Sequence, residues 1–171
     1  MSTLLCTSLL SKINEQMERA NHLLGQLPAE HLDWTPPIPN SWPTGRVLGH
    51  LLDCLAGFCA VLVAVNPERL AHFNRVREKP VNHACTASEA VDRIAVYQAH
   101  IDEGFTLLSD ADLARLVPTV FVPGGETVLT LLLGNLEHLI NHKHQLFTYL
   151  KLMGVDVGTR DLYCFRSAGA S

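Results

Sequence analysis

The segment Thr44 to Val65, TGRVLGHLLDCLAGFCAVLVAV, constrains the fold more than any other part of the chain. Past Arg46 in its first turn, Asp53 is its only charged residue. On a helix at about 100° per residue, Leu48, Leu51, Leu55, Phe58, Cys59 and Leu62 fill one broad side, and Gly49, Asp53, Ala56, Ala60 and Ala64 fill the other. A helix that is apolar or small all round is buried all round. It belongs at the centre of a helical assembly, yet a bundle of four leaves each member one side facing out. The small-residue side is therefore expected to pack on a second copy of the chain, as a homodimer; the competing expectation is that the excursion from Pro67 to Ala84 covers it. The most apolar run, Leu55 to Val65, has 11 residues, against the roughly 20 that a bilayer span needs. The helix is read as the interior of a soluble protein with no membrane partner.

Three more segments have helical periodicity. Between Thr3 and Leu27, the residues Leu5, Leu9, Ile13, Met17, Ala20, Leu24 and Leu27 recur at steps of three and four, with Lys12, Glu15, Arg19 and Asn21 between them. Thr86 and Glu89 form an S/T-x-x-E capping box ahead of Val91, Ile94, Ile101, Phe105 and Leu108. The last helix opens near Thr127 and ends at Gly154, a residue suited to the left-handed conformation past a helix C-terminus. Between the first and second helices, DWTPPIPNSWP is too proline-rich for a regular helix, and Thr44 is placed to cap the second helix. Asn66-Pro67 ends that helix, and a shorter helix is expected over Pro67 to Glu78. Strand patterning is confined to Leu116–Val122, too short to found a sheet. The expected architecture is all-α, a four-helix bundle with long connections between helices one and two and between two and three. Residues 1–171 read as a single helical domain, with a core over about 5–155 and a tail over 156–171.

Composition narrows the function classes. A chain that is 47% hydrophobic and 18% charged is outside the range of disordered sequences. A net charge of −4 with no cluster of lysines or arginines carries no electrostatic footprint for nucleic acid. Five scattered cysteines without a CxxC pair (Cys6, Cys54, Cys59, Cys85, Cys164) read as reduced thiols of a cytoplasmic protein. The N-terminus lacks the basic opening and apolar run of a secretory signal.

Nine histidines are the remaining anomaly. His138 and His142 are four residues apart, about 40° around the helix axis, so they project from one face one turn apart and could reach one metal ion. Gln145 and Tyr149 continue that stripe. Leu136, Leu139, Ile140, Leu146, Phe147 and Leu150 form the adjoining apolar arc, and Glu137, Asn141, His144, Thr148 and Lys151 the solvated face. His144 lies about 200° from His142 and cannot share its metal. His50 begins the apolar surface of helix two, where burial of its nitrogens requires a partner: a metal ion, or a hydrogen bond to a backbone carbonyl. Cys54, one turn on, could add a thiolate but reads first as a small core residue. His22, His31, His72, His83 and His100 have no helical partner histidine.

The run HLINHKHQLFTYLKLMG, with SWPTGRVLGHLLD after a Trp- and Pro-rich lead, resembles the DinB-like (DinB/YfiT) family of four-helix-bundle proteins. In that family the early histidine of helix two and an HxxxH pair on the last long helix, followed by a basic residue and a glutamine, bind a divalent metal. His50, His138, His142, Lys143 and Gln145 stand at matching positions, and the resemblance spans about residues 5–155. Family members often carry a small residue between the basic residue and the glutamine; here it is His144. Leu139 stands where the HExxH zinc peptidases have their glutamate, so a peptidase-like general base is absent there.

The resemblance implies a small-molecule enzyme in which a low-molecular-weight thiol, or water, activated on zinc or nickel at His50, His138 and His142, attacks an electrophile. Gln145 and Tyr149 would support the ligands or touch the substrate. The alternative is a metal-stabilised binding or stress-response bundle without turnover. A third reading is a purely structural bundle whose core histidines are satisfied by hydrogen bonds.

Overall fold

The computed structural model describes residues 4–73, 80–119 and 122–163. Its main helices are α1 (Leu4–Leu24), α2 (Thr44–Val65), α3 (Ala87–Thr106) and α4 (Val128–Leu152), followed by a single turn, α5 (Thr159–Leu162). β1 (Leu116–Val117) and β2 (Glu126–Thr127) form a two-residue antiparallel ladder, so among the described residues the strand-like patch Leu116–Val122 pairs only at its start, as a clip in the α3–α4 connection; Val120 and Phe121 lie outside the described residues. The protein is an all-α bundle with α2 in the middle: α2 packs on both α3 and α4, while α1 closes the other side against α3, α4 and α5.

Local chemistry explains most boundaries. Thr86 caps α3 by accepting the Glu89 amide at 3.1 Å, and Thr127 caps α4 by accepting that of Thr130 at 3.1 Å. Past α4, Gly154 takes φ +84°, and the Gly154 and Val155 amides bond back to Lys151 and Leu150, the chain reversal that glycine permits. Thr44 departs from expectation. It is the first residue of α2 and not its cap, because its hydroxyl and amide both donate to the Trp34 carbonyl, at 3.0 and 2.9 Å. The proline-rich segment is thereby anchored to the start of α2.

The stripe expected on α1 is buried except at its first member: Leu5 is exposed and Cys6 takes the inward position. On α4, Ile140 is likewise exposed, while the rest of the arc is buried. The short helix expected over Pro67–Glu78 gives way, over Pro67–Phe73, to turns and one 3-10 turn; the rest of that segment lies outside the described residues. Cys6, Cys54, Cys59 and Cys85 are buried thiols outside any disulfide; Cys164 lies outside the described residues.

Among the described residues α2 alone is long and apolar enough to cross a membrane. Its apolar window has a mean hydropathy of 2.1, and 61% of that window is buried by the rest of the chain. Core burial accounts for the composition. The excursion after α2 covers part of the small-residue side: the His83 backbone lies over Gly49, and the Asn82 amide donates to Asp53 Oδ2 at 2.7 Å. Further along, the Asn135 side chain lies over Gly57, whereas Ala56 and Ala60 are half-buried and Ala64 is exposed.

Candidate metal centre

Two helices distant in sequence bring three imidazoles together. His138 and His142 stand one turn apart on α4, and the packing of α4 on α2 places His50 opposite them. The His50 ring centroid is 4.9 Å from that of His138 and 4.3 Å from that of His142, and the α4 pair is 4.7 Å apart. One ring nitrogen from each lies within 4.8 Å of the other two, a group that could hold a metal ion. His50 Nε2 and His138 Nε2 are 3.1 Å apart. Two nitrogens each about 2.0–2.1 Å from a common zinc ion are roughly 3.3 Å apart at the tetrahedral angle, so this pair already has close to the spacing of two ligands.

The far nitrogens of His142 and His50 are held by the protein. His142 Nδ1–H donates to Gln145 Oε1 at 2.8 Å, leaving Nε2 with its lone pair. Gln145 Nε2 in turn reaches the Tyr149 hydroxyl at 3.5 Å, and that hydroxyl donates to the Trp42 carbonyl at 3.0 Å. Tyr149 is buried, with the Trp34 ring edge-on at 5.5 Å, so it supports Gln145 from below. His50 Nδ1–H donates to Asn82 Oδ1, a side chain and not the backbone carbonyl that stood as the alternative to a metal ion. Trp42 stands edge-on to His50 at 5.1 Å, with the Arg46 guanidinium over its ring at 4.2 Å. The proline-rich segment thus forms one wall of the centre.

Burial is the leading cause that pushes His138 and His142 below the ordinary imidazole pKa. For His138 the neighbouring His50 adds to the effect and Asp53 opposes it; for His142, Gln145 opposes it and His50 and His138 add to it. Neutral imidazoles are the form that binds metal. The metal-free native state therefore refuses protons that the unfolded chain accepts below about pH 6.5. Its stability should be fully present above that pH and decline as pH falls toward the lowered native values. Melting temperatures of chelator-treated protein between about pH 8 and pH 5 check this; the decline should flatten in a His138→Ala, His142→Ala double variant.

Cys54 does not join the group. Its thiol donates to the His50 carbonyl at 3.4 Å, and burial, with Asp53 beside it, pushes its pKa up to about 12. It is the small core residue that its position suggested. Lys143 also faces elsewhere: only 2% exposed, it donates from Nζ to Gln16 Oε1 at 2.8 Å and to the Leu162 carbonyl at 3.4 Å, tying α4 to α1 and α5. The helical angle contained this signal, since one residue past His142 the side chain turns about 100° into the arc of Leu139 and Leu146. His144 is exposed, as the angle required. Of the others, His22 meets Asp161 at 2.9 Å, His72 meets Glu103 at 3.0 Å, and His100 donates to the Val96 carbonyl at 2.8 Å. Asn82 went unseen in the sequence: it lies in an irregular loop with no period to mark it.

Fold and site together define a class, the helical bundle with long connections whose second and last long helices converge on a three-histidine group. A family model described as the DinB superfamily matches residues 13–146, and the chain belongs to that superfamily. The fold is similar to that of a DinB-like protein, YjoA, from Bacillus subtilis, with 18% identity, coverage of 88% of this chain and 94% of that one, and a TM-score of 0.66. It is also similar to a candidate DinB family member from Exiguobacterium sibiricum, with 20% identity, coverage of 94% and 99%, and a TM-score of 0.60. No curated protein matches the chain.

Proposed function

We propose that the chain binds one divalent ion, zinc or nickel, through His50, His138 and His142, and works as an enzyme that activates a low-molecular-weight thiol or water for transfer to an electrophile or for hydrolysis. The observation that carries this reading is the convergence of three ring nitrogens within 4.8 Å, on helices whose packing and hydrogen bonds hold the rings in place. Zinc and nickel both accept imidazole. Three neutral imidazoles leave at least one coordination position open, as in catalytic sites. When bound, such an ion lowers the pKa of a thiol or water so that a nucleophile exists near neutral pH.

The chain's own residues supply orientation and surroundings. Gln145 keeps the His142 proton on Nδ1, and Tyr149 keeps Gln145 in place. Leu139, buried in the core, supplies no carboxylate base of the peptidase kind. Cys54 keeps its proton, so the reacting thiol belongs to the substrate. Four buried cysteines outside any disulfide support work in a reducing cytoplasm. The half-buried and exposed alanines Ala56, Ala60 and Ala64 support a homodimer through the C-terminal half of α2.

One preparation tests the reading. Metal analysis should find about one ion per chain, and a screen of several thiols with monochlorobimane should give thiol transfer that chelation abolishes. Bound metal with no transfer and no hydrolysis would favour the non-catalytic bundle, and absence of metal would overturn the site. Light scattering on the same sample should give the dimer mass; a strict monomer at micromolar concentration removes the α2 interface.

A further inference from the structure

We propose that Asn82 positions His50 for the metal ion, by taking the His50 Nδ1 proton in a hydrogen bond and so turning the lone pair of Nε2 toward His138 and His142. The inference rests on the metal reading above and adds to it a residue from a loop outside the bundle helices. Asn82 Oδ1 is the acceptor of the His50 Nδ1–H. A neutral imidazole has one N–H, so this bond selects the tautomer in which Nε2, 3.1 Å from His138 Nε2, is unprotonated. Gln145 has the same role toward His142 on the opposite helix.

Four features aim Asn82 at its target. Its φ of +58° lies in the left-handed region, which asparagine tolerates better than most side-chain-bearing residues. Its own amide donates to Asp53 Oδ2 at 2.7 Å. The next residue is pressed onto α2 where Gly49 has no side chain, and the Cys85 amide bonds to the Gly45 carbonyl at 3.2 Å. The Asp53 carboxylate is 3.8 Å from His50 Nδ1, beyond hydrogen-bond reach. Asp53 therefore acts on the loop, and the neutral amide acts on the imidazole. Metal-bound histidines generally donate their second N–H to such a partner, whose loss weakens metal binding about 10- to 100-fold.

Asn82→Gly is the discriminating variant, because glycine keeps the left-handed turn and the amide to Asp53 while removing Oδ1; Asn82→Asp restores an acceptor. Two readouts are taken on the full chain. Competition with a chromogenic chelator, with Zn²⁺ as probe, should show affinity falling about 10- to 100-fold in Asn82→Gly and largely recovering in Asn82→Asp. Long-range ¹H–¹⁵N spectra of the metal-free protein at pH 8 should show His50 protonated on Nδ1 in the wild type and a tautomer mixture in Asn82→Gly. Wild-type affinity with an unchanged tautomer in Asn82→Gly, or equal losses in both variants, overturns the proposal. So does a wild-type His50 protonated on Nε2, which decides the matter even if a variant fails to fold. A wild type that takes no zinc defeats the metal reading instead, and the spectra still decide the role of Asn82.

Discussion

His142→Ala is expected to abolish stoichiometric metal binding, and with it the sensitivity of the protein's melting temperature to chelator. The side chain supplies one of three nitrogens gathered from two helices, and its loss also strands the Gln145 carbonyl that holds the ring. His144→Ala, exposed on the same helix, should retain full metal content and serves as the control. The stability effect arises from mass action. A ligand held at a hundred times its dissociation constant adds about 2.7 kcal/mol to the native state. In a chain of this size each kcal/mol corresponds to about 2–4 °C, so chelation should lower the wild-type melting temperature by roughly 5–11 °C. His142→Ala should melt near the chelated wild type and be unmoved by chelator. Full metal content in His142→Ala would remove the ligand assignment.

Gly49→Ala should damage both the fold and the site. A Cβ there would stand 2.0 Å from the His83 carbonyl oxygen and 2.6 Å from its carbon. These are backbone atoms, pinned on one side by the Asn82 amide on Asp53 and on the other by the Cys85 amide on Gly45, so no rotamer change relieves the contact. Overpacking of this kind costs about 1–3 kcal/mol. The loop that must lift carries Asn82, and zinc affinity should fall together with stability. Gly134→Ala is the opposite case. On the exposed side of α4, an added Cβ meets nothing within 4 Å, and replacing a mid-helix glycine should stabilise by about 0.5–1 kcal/mol. Urea unfolding of the two variants checks both signs; equal stability would show that the loop does not rest on Gly49.

Much of the site was legible because its larger part lies on one helix. The HxxxH pair, Gln145 and Tyr149 are given by spacing alone, as is the outward His144, and a helix keeps these angles whatever surrounds it. His50 was recognisable as a polar group at the start of an apolar surface, but its acceptor was not, since Asn82 is distant along the chain and belongs to a loop. The apolarity of α2 forecast central burial correctly. Which element lies over each part of its small-residue side depended on the path of the connection after Asn66, and no periodicity describes that path. Lys143 is a mixed case: one residue past His142, its helical angle already turns it toward the apolar arc, whereas its partner there, Gln16 on α1, depends on how the helices pack.

By itself the sequence determined the helices, their caps at Thr86 and Thr127, the reversal at Gly154 and the face shared by His138 and His142. These depend on neighbours within a few residues, through side-chain to backbone hydrogen bonds and the helical period. Only the tertiary structure decided that His50 meets His138 across 88 positions, that the His83 backbone occupies the gap above Gly49, and that Lys143 turns to Gln16. Those outcomes depend on how whole elements pack, where shape and the need to satisfy every buried polar group select the partner.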